Sequence, residues 1–364
     1  MQHERVYRSG SRKAQGGGGE KDRLGKITGR ATLAVTRPAL ENYFCKQDRK
    51  STVVVEATGN WMYLYETIEK HVPDIVLAHP LKTRAIAEAR IKTDSIDATT
   101  LAELLRLDGI AKAYIPPREV RDVRELLRYR ASVVTLRMGL KNKVHAVLTK
   151  NGIECSFSNV LGKKSRQWLR NLSVRDCYQR ELDGYIRLAE LSTELIREIT
   201  IKIKEVVCAT PQAQLLMTVP GISYYSALLI LSEIGQIERF PSAKHLCSYA
   251  GLVPSVYSSG SKSFYGRITK QGSRWLRWIC VEISIHSANG DARFQSLYRR
   301  ICRRRGSTTA KVAVARKILT VIYAMLKNNQ PFRRRHPRQQ ILAKAWSKKK
   351  KESSGHPPEV MIQA

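Results

Sequence analysis

The sequence has few acidic residues for its size. It contains 31 Asp and Glu residues against 64 Lys and Arg residues in 364 positions, which gives a formal net charge of +33. Such an excess destabilises a compact chain by self-repulsion unless a polyanion neutralises it, and nucleic acid is the commonest polyanionic partner of proteins. An anionic membrane surface is the weaker alternative. The excess of basic over acidic residues argues against an ordinary metabolic enzyme and predicts a nucleic-acid-binding protein.

Long hydrophobic runs and paired metal ligands are also missing. The longest apolar stretches, such as residues 227–231, are far shorter than the roughly 20 residues that a transmembrane helix needs. No apolar segment of the secretory type follows the basic N-terminus. The seven cysteines form no C-x-x-C pair and the histidines no H-x-x-H pair, so neither a zinc site nor a disulfide framework is indicated. We expect a cytoplasmic protein with reduced thiols and no membrane partner.

The first third of the chain contains two segments of different character. Residues 1–25 contain four glycines at 16–19, many charges and almost no apolar residues, which predicts a disordered, atypical N-terminus without a core strand. Residues 26–115 alternate strand-like and helix-like stretches, and the β-branched run at 51–56 is typical of a buried strand. This alternation predicts an α/β domain.

The rest of the chain is predicted to be mainly helical. Apolar residues recur every three or four positions in residues 116–210, which indicates long amphipathic helices. They suit an antiparallel hairpin, a dimerising coiled coil or an ordinary bundle. Residues 211–332 form a third, mostly helical segment, and residues 333–364 a basic disordered tail. Such a tail gives salt-dependent, sequence-independent affinity for phosphates.

Three carboxylates in the α/β segment are candidate metal ligands. Glu56 ends the apolar strand at 53–55, and Asp94 and Asp97 are three residues apart, so on a helix they share a face. Oxygen ligands suit Mg²⁺, and paired ions can activate an attacking oxygen and stabilise a leaving one in phosphoryl transfer. Alternatively, the two aspartates favour the dipole of a first helical turn, and Glu56 is a partly exposed strand end.

A turn between two helical stretches has the sequence Val-Pro-Gly-Ile at residues 219–222. It is similar to helix-hairpin-helix elements, whose backbone N–H groups contact nucleic-acid phosphates. Pro220 and Gly221 are therefore candidate nucleic-acid-binding residues. Ser223 stands where such elements usually carry a second glycine, so a simple tight turn is the alternative.

A serine-rich loop at residues 255–261 precedes a strongly basic region. Residues 262–317 contain 14 Lys and Arg residues against two acids, and Trp275 and Trp278 alternate with arginines. Such a surface seats a phosphodiester backbone and stacks bases, and a serine at its edge would meet a phosphate as its electrophile. A solvated loop is the alternative. The candidate nucleic-acid-binding cations are Lys262, Arg267, Lys270, Arg274 and Arg277.

Three stretches of the sequence together resemble a known family. They are residues 53–60 (VVVEATGN), residues 79–84 with 92–98, and residues 219–222 with 250–254 and 257–260. In order and spacing over residues 26–332 they are similar to the DEDD transposases of bacterial insertion sequences, of the IS116/IS110/IS902 type.

This resemblance implies a fold, a chemistry and partners. The fold is an RNase H-type, RuvC-like domain, a helical coiled-coil region and a mainly helical C-terminal domain with a helix-hairpin-helix-like element. Glu56, Asp94 and Asp97 take the positions of catalytic carboxylates that bind Mg²⁺, and Ser259 takes that of a nucleophile that attacks DNA. The implied partners are DNA and a structured non-coding bridge RNA, in a homo-oligomer between a dimer and a tetramer.

The first of the family's four carboxylates is missing from this sequence. In the family this aspartate lies in a Gly-Ile-Asp-like motif on the first, central strand, and residues 1–25 contain no such motif. Asp22 falls where the family has a turn and is not expected to be a ligand. The segment reads as if it came from another reading frame joined near Gly25. We therefore expect the first strand to be missing, the strand at 53–55 to lack its neighbour, and recombination to be absent or very weak.

Three functions are compatible with these patterns. The first is a DNA transposase or recombinase that cleaves and rejoins strands through a serine. The second is a non-catalytic nucleic-acid-binding remnant of such an enzyme. The third is a RuvC-like junction nuclease, which the loop at 257–260 disfavours because a hydrolytic nuclease needs no serine nucleophile. A covalent protein–DNA adduct separates the first from the other two.

Overall fold

The chain forms two compact units, residues 1–116 and residues 117–364. The computed structural model describes residues 4–9, 15–22, 24, 26–46, 51–80, 82–83, 94–259 and 262–334. Most of the basic tail predicted at 333–364 lies outside these ranges. None of the helices in these ranges is both long and apolar enough to cross a membrane.

The described part of the first unit consists of a mixed sheet and helices on both of its faces. The strands are β1 (Glu4–Ser9), β2 (Gln15–Lys21), β3 (Ile27–Ala34), β4 (Thr52–Glu56) and β5 (Asp74–Ala78). The helices are α1 (Arg37–Phe44), α2 (Trp61–Ile68) and α3 (Asp94–Arg106). This is the α/β architecture that the alternating sequence pattern predicts.

The strand order in this sheet is β3-β2-β1-β4-β5, with β1 in the centre. β2 is antiparallel to both β1 and β3, whereas β1, β4 and β5 are parallel to one another. In the β1–β4 ladder Glu4 pairs with Thr52 and Tyr7 with Val55. The start of β1 therefore lies level with the start of β4.

The expectation that residues 1–25 supply no strand is wrong, as is the expectation that the first strand is missing. β1 and β2 both lie in this segment, and β1 is the parallel neighbour of residues 53–55. The physical reason is that glycine makes ladder hydrogen bonds with its backbone alone. A strand with the sequence QGGGGEK therefore shows none of the side-chain alternation by which strands are recognised.

The β-branched run in β4 is buried on both faces of the sheet. Val53 and Val55 pack with Leu40 and Leu64 from α1 and α2. Val54, on the opposite face, packs in a cluster with Ala98, Leu101 and Ala102 from α3. Burial on two sides explains why this strand is continuously apolar rather than alternating.

The second unit is mostly helical in its described part. Its helices are α4 (Arg118–Lys150), α5 (Lys163–Arg170), α6 (Asp176–Cys208), α7 (Pro211–Met217), α8 (Tyr224–Ile234), α9 (Ala243–Tyr249), α10 (Arg274–Gly290) and α11 (Ala292–Asn328). A two-stranded hairpin, β6 (Pro254–Ser259) and β7 (Lys262–Ile268), lies between α9 and α10.

The two longest helices of the predicted amphipathic region, α4 and α6, pack antiparallel in the same chain. Arg130 near the start of α4 donates to Thr200 near the end of α6 at 3.0 Å. Val147 near the end of α4 lies in one cluster with Leu182 and Ile186 near the start of α6. Beyond this pair, the almost fully buried helix α8 forms the centre of the larger core together with α10 and α11.

Candidate functional site

Glu56 is the last residue of β4 and is half-buried. Since side chains alternate along a strand, Glu56 lies on the same face as Val54, the face covered by α3. The strand ends here because the Thr58 N–H turns back to the Glu56 carbonyl at 2.7 Å, ahead of the Gly59–Asn60 turn. The carboxylate therefore stands at the carboxyl edge of a buried strand and on the side of α3.

An ion pair fixes the direction of α3 across the sheet. Lys21 Nζ donates to Glu103 Oε2 at 2.6 Å, near the end of α3. Lys21 pairs with Glu4 in the β1–β2 ladder, and Glu4 pairs with Thr52. The end of α3 thus lies level with the start of β4, and the first turn of α3 points towards the end of β4.

From helix and strand dimensions we expect Asp94 to lie level with Glu56. The nine residues from Asp94 to Glu103 rise by about 14 Å in a helix, and the four from Thr52 to Glu56 by about 13 Å in a strand. Asp94 and Asp97 lie in the first turn of α3, as their spacing predicts, and their side chains lie outside the described residues. Among the described side chains there is no group of three His, Cys, Asp or Glu residues that could hold a metal ion.

The central strand β1 supplies no aspartate next to this position. Its sequence is ERVYRS, and its one acid, Glu4, pairs with Thr52 at the far end of β4 from Glu56. Asp22, which was not expected to be a ligand, follows β2 and accepts the N–H groups of Leu24 and Lys26 in a local turn. Of the sequence-predicted carboxylates, Glu56 stands at the end of β4, and Asp94 and Asp97 belong to the first turn of α3.

Hydrogen bonds determine the electrostatic state of Glu103. Side-chain hydrogen bonds from Arg106 and Lys21 lower the pKa of Glu103 to about 2, against the smaller opposing effect of burial. Glu103 is therefore ionised at neutral pH and keeps its tie to β2. Sequence reasoning missed this residue because 82 positions separate it from Lys21.

The Pro220–Gly221 turn is packed tightly against the end of α10. Gly221 has φ +87°, and a Cβ atom on it would lie 2.8 Å from both the Cβ of His286 and the backbone N of Ser287. The hydroxyl of Ser287 donates to the Pro220 carbonyl at 2.7 Å. Both the backbone conformation and the close approach therefore require glycine at position 221.

A buried carboxylate determines where α10 begins. Glu233, which is only 4% exposed, accepts the hydroxyl of Ser273 at 2.8 Å. The same hydroxyl oxygen accepts the N–H of Leu276 and so caps the helix. Arg128 donates to the other carboxylate oxygen of Glu233 at 3.4 Å. In the sequence, this site is marked only by one acidic residue, Glu233, within the otherwise uncharged helix α8.

Ser259 lies at the tip of the β6–β7 hairpin. It pairs with Lys262 in the ladder, so only residues 260 and 261 connect the two strands. The side chains of Ser259 and Lys262 lie outside the described residues. Aromatic side chains farther along the two strands are highly exposed: Tyr257 is 71% and Tyr265 73% accessible. The candidate nucleophile therefore stands on a projecting, two-stranded arm.

The other predicted cations are spread between this arm and the helix behind it. Arg267 is exposed near the root of β7, and Lys270 follows it with φ +54°. Arg274 and Arg277 lie in the first turn of α10. Since β7 spans roughly 20 Å from tip to root, these four arginines and lysines line the base of the arm rather than its tip. Pro220 and Gly221 lie at the opposite end of α10 and do not join them.

Comparisons with known proteins identify related sequences in both units. Residues 213–299 match the family model described as Transposase IS116/IS110/IS902 family. Residues 21–152 match a second model, of DEDD transposases of the IS110 type. The two matches together cover more than half of the chain. The second one begins at residue 21, so β1 lies outside it.

Individual relatives extend this similarity over most of the chain. The transposase for insertion sequence element IS1111A of Coxiella burnetii is 25% identical over 299 residues, 77% of this chain and 79% of the relative. The pilin gene-inverting protein of Moraxella bovis is 26% identical over 300 residues, 78% of this chain and 82% of the relative. The 43.6 kDa protein of insertion element IS110 in Streptomyces coelicolor is 30% identical over 142 residues, 39% of this chain and 35% of the relative.

Proposed function

This chain belongs to the IS116/IS110/IS902 family of transposases, and we propose that it cleaves and rejoins DNA strands through a covalent link to Ser259. It is a DNA transposase or recombinase by its relatives. The proposal concerns the chemistry. The observation that carries it is the position of Ser259 at the tip of an exposed arm whose base is lined by cations.

The proposed reaction conserves phosphodiester bonds. The oxygen of Ser259 forms a bond to a backbone phosphorus while the bond between that phosphorus and one strand oxygen breaks. The hydroxyl proton of the serine leaves, and the departing strand oxygen gains a proton. Attack of a strand hydroxyl on the phosphoserine then reverses these changes, so rejoining needs no external energy source.

The first unit would supply acidic groups for this chemistry. Its strand order and the helix α3 on the face of Glu56 support an RNase H-type, RuvC-like domain. Glu56, Asp94 and Asp97 offer the oxygen donors that Mg²⁺ prefers, so the residues present fit a divalent ion. When bound, Mg²⁺ would polarise a phosphoryl oxygen and stabilise the charge that develops on it. The carboxylates of this chain would hold the ion, with Lys21 and Glu103 keeping α3 in place.

Nucleic-acid binding rests on charge. An excess of 33 positive charges gives strong affinity for a polyanion, and Arg267, Lys270, Arg274 and Arg277 concentrate part of it at the base of the arm. The candidate turn at Pro220 and Gly221 would add a phosphate contact at the other end of α10. DNA is the substrate of this family, and a structured bridge RNA from the same element is the second proposed partner.

Apolar side chains on the two long helices support a homo-oligomer, between a dimer and a tetramer. Several are about half exposed or more, which is unusual for a helix that packs only within its own chain. They are Met138, Leu188, Leu191 and Ile201. A coiled coil formed by α4 and α6 of two copies would bury them.

A second candidate is a non-catalytic nucleic-acid-binding remnant. The observation that favours it is the missing aspartate of β1, because a site with three carboxylates in place of four binds metal with altered geometry. The two candidates share their DNA affinity and differ in covalent chemistry.

The test is a denaturing gel of the full chain after incubation with DNA that carries an end of the insertion element. A DNA adduct that resists denaturant, and is lost in Ser259→Ala, supports the recombinase. Ser258→Ala and Ser261→Ala are matched controls, and each should keep the adduct. Loss of the adduct in either control but not in Ser259→Ala would mean that the nucleophile is another serine. All four proteins should bind DNA nearly equally, with affinity that falls steeply as salt rises.

A further inference from the structure

A cleft of about 1060 Å³ lies in the second unit between α4, the start of α8 and the first two turns of α10. We call it the Arg–Trp cleft. Its charged and aromatic lining residues are Arg128, Arg130, Tyr225, Arg274, Trp275, Arg277 and Trp278. No aspartate or glutamate is among the described residues that line it. Its volume is at the upper end of the range for sites that hold a small molecule or a few linked groups.

The aromatic rings of the cleft stand edge to face. The ring centroids of Trp275 and Trp278 are 5.8 Å apart with an interplanar angle of 82°, and those of Tyr225 and Trp278 are 6.4 Å apart at 74°. Trp278 remains 41% exposed, although indole is among the largest apolar groups a protein contains. Trp278 makes both of these contacts and still keeps 41% of its surface accessible, so part of the indole remains open to a planar group.

The arginines of the cleft keep a net positive charge. The guanidinium of Arg130 lies 4.7 Å from the Tyr225 ring centroid and donates to Thr200, and Arg277 donates to the Ala250 carbonyl. In the part of the chain that the structure describes, Arg130, Arg274 and Arg277 pair with no carboxylate. Burial lowers the pKa of Arg277, as expected for a cation that is partly removed from water without a counter-ion.

We propose that the Arg–Trp cleft binds an unpaired nucleotide, with its base stacked on Trp278 and its phosphate held by the arginines. The inference rests on the proposed function, since it supposes that the protein handles nucleic acid. The planar aromatic surface selects a flat ligand, and the uncompensated arginines select an anionic one; a nucleotide is both. Bases inside a duplex have both faces covered, so the cleft favours a single strand or an extruded base over a paired one.

A DNA strand opened during recombination and an unpaired stretch of the partner RNA share this chemistry. The two sources differ in the 2′-hydroxyl, which lets a protein distinguish RNA from DNA. Oligodeoxyribonucleotides and oligoribonucleotides of one sequence therefore identify the source. Preference for either sugar supports the inference and assigns the strand.

The test measures the affinity of the full chain for three probes of equal length: an oligothymidylate, the same backbone without bases, and a duplex. Trp278→Ala is the main variant. Tyr129→Ala is the matched control, because Tyr129 is an aromatic residue on α4 that is 49% exposed and does not line the cleft. Trp278→Phe keeps a stacking surface and shows whether loss of function reflects loss of the ring.

We expect Trp278→Ala to weaken binding of the oligothymidylate roughly fivefold to a hundredfold, the range for the loss of one stacked base. Its affinity for the abasic strand and the duplex should stay within about twofold of the unmodified chain, because phosphate contacts dominate both. Trp278→Phe and Tyr129→Ala should bind all three probes normally. Arg274→Gln should weaken binding of the abasic strand as well. It should also reduce the slope of log K against log salt by about one, because one phosphate contact is lost.

Equal losses for all three probes, or no loss for any, would overturn the inference. A change in oligomeric state of Trp278→Ala with unaltered oligonucleotide affinity would also overturn it and would assign the cleft to an interface between copies. If the unmodified chain binds the duplex but does not prefer bases in a single strand, only this inference fails. If it binds none of the probes, the proposed function fails with it.

Discussion

The ammonium group of Lys21 lies 2.6 Å from a carboxylate oxygen of Glu103, across 82 residues of chain. This contact ties the end of β2 to the last turns of α3. The same helix carries Asp94 and Asp97 in its first turn. A surface pair of this kind normally contributes little to stability, and we propose that this one helps to hold the helix of the candidate metal ligands against the sheet.

The first prediction concerns the strength of this tie. A double-mutant cycle of Lys21→Met and Glu103→Gln should give a coupling free energy of about 1 kcal/mol at neutral pH, the upper end for partly exposed pairs. The side chains are 12% and 31% exposed. The Lys112–Asp108 pair, with 61% and 86% exposure, is the control and should couple by only a few tenths of a kcal/mol. Equal coupling in the two cycles would contradict the structural role of Glu103.

The second prediction is the pH dependence of the same coupling. Hydrogen bonds from Arg106 and Lys21 lower the pKa of Glu103 to about 2, below its unfolded value near 4.5. An acidic group whose pKa is lower in the folded than in the unfolded state stabilises the fold fully at pH values above its unfolded pKa. This stabilisation is lost as the pH falls towards its folded pKa. The coupling should therefore be constant from about pH 7 to about pH 5 and decline between about pH 4.5 and pH 2. The coupling is measured by chemical denaturation of the unmodified chain, the two single variants and the double variant across this pH range. A coupling that vanishes above about pH 5 would contradict the lowered pKa of Glu103.

The third prediction concerns the buried Glu233. Its replacement by alanine should destabilise the second unit by roughly 3–5 kcal/mol, because Arg124 and Arg128 would lose the buried acid that compensates them. Ser273→Ala removes the hydroxyl that donates to Glu233 and caps α10, and it should lower the free energy of unfolding by about 1 kcal/mol. Glu238→Ala is the control, since Glu238 is exposed, and should change stability by less than about 0.5 kcal/mol. Thermal or chemical unfolding of the full chain reports all three values, and similar losses for Glu233 and Glu238 would contradict the network.

The fourth prediction concerns the missing carboxylate. Arg8 follows Tyr7 on β1 as Glu56 follows Val55 on β4, and Tyr7 pairs with Val55 in the parallel ladder. Arg8→Asp should therefore add a carboxylate beside Glu56 and raise Mg²⁺-dependent strand cleavage well above that of the unmodified chain, which we expect to be weak but detectable as the Ser259 adduct. Ser9→Asp is the matched control, because neighbouring positions on a strand face opposite sides of the sheet, and it should have no effect. Robust recombination by the unmodified chain with purified RNA and DNA would contradict this prediction.

Local patterns predicted some elements of this fold and missed others for physical reasons. The β-branched text of β4 and the three-residue spacing of Asp94 and Asp97 indicated a buried strand and a helical turn, and both are present. The sequence did not indicate β2, because its four glycines have no side chains that could show the alternation of apolar and polar residues typical of a strand. The sequence indicated the arginine and tryptophan residues at the start of α10 but not the cleft itself, since Arg130 on α4 lines the same cavity as Trp278 only when the two helices pack. The Lys21–Glu103 contact is non-local in the same way.

The most direct test of the central claim is mass spectrometry of the covalent adduct. The unmodified chain and Arg8→Asp are incubated with element-end DNA and Mg²⁺, and the protein is digested with nuclease and trypsin. We expect a nucleotide mass on the peptide of residues 245–262, located on Ser259, in higher yield from Arg8→Asp. A nucleotide on any other residue, or no adduct from either protein although both bind the DNA, would contradict the assignment of Ser259 as the nucleophile.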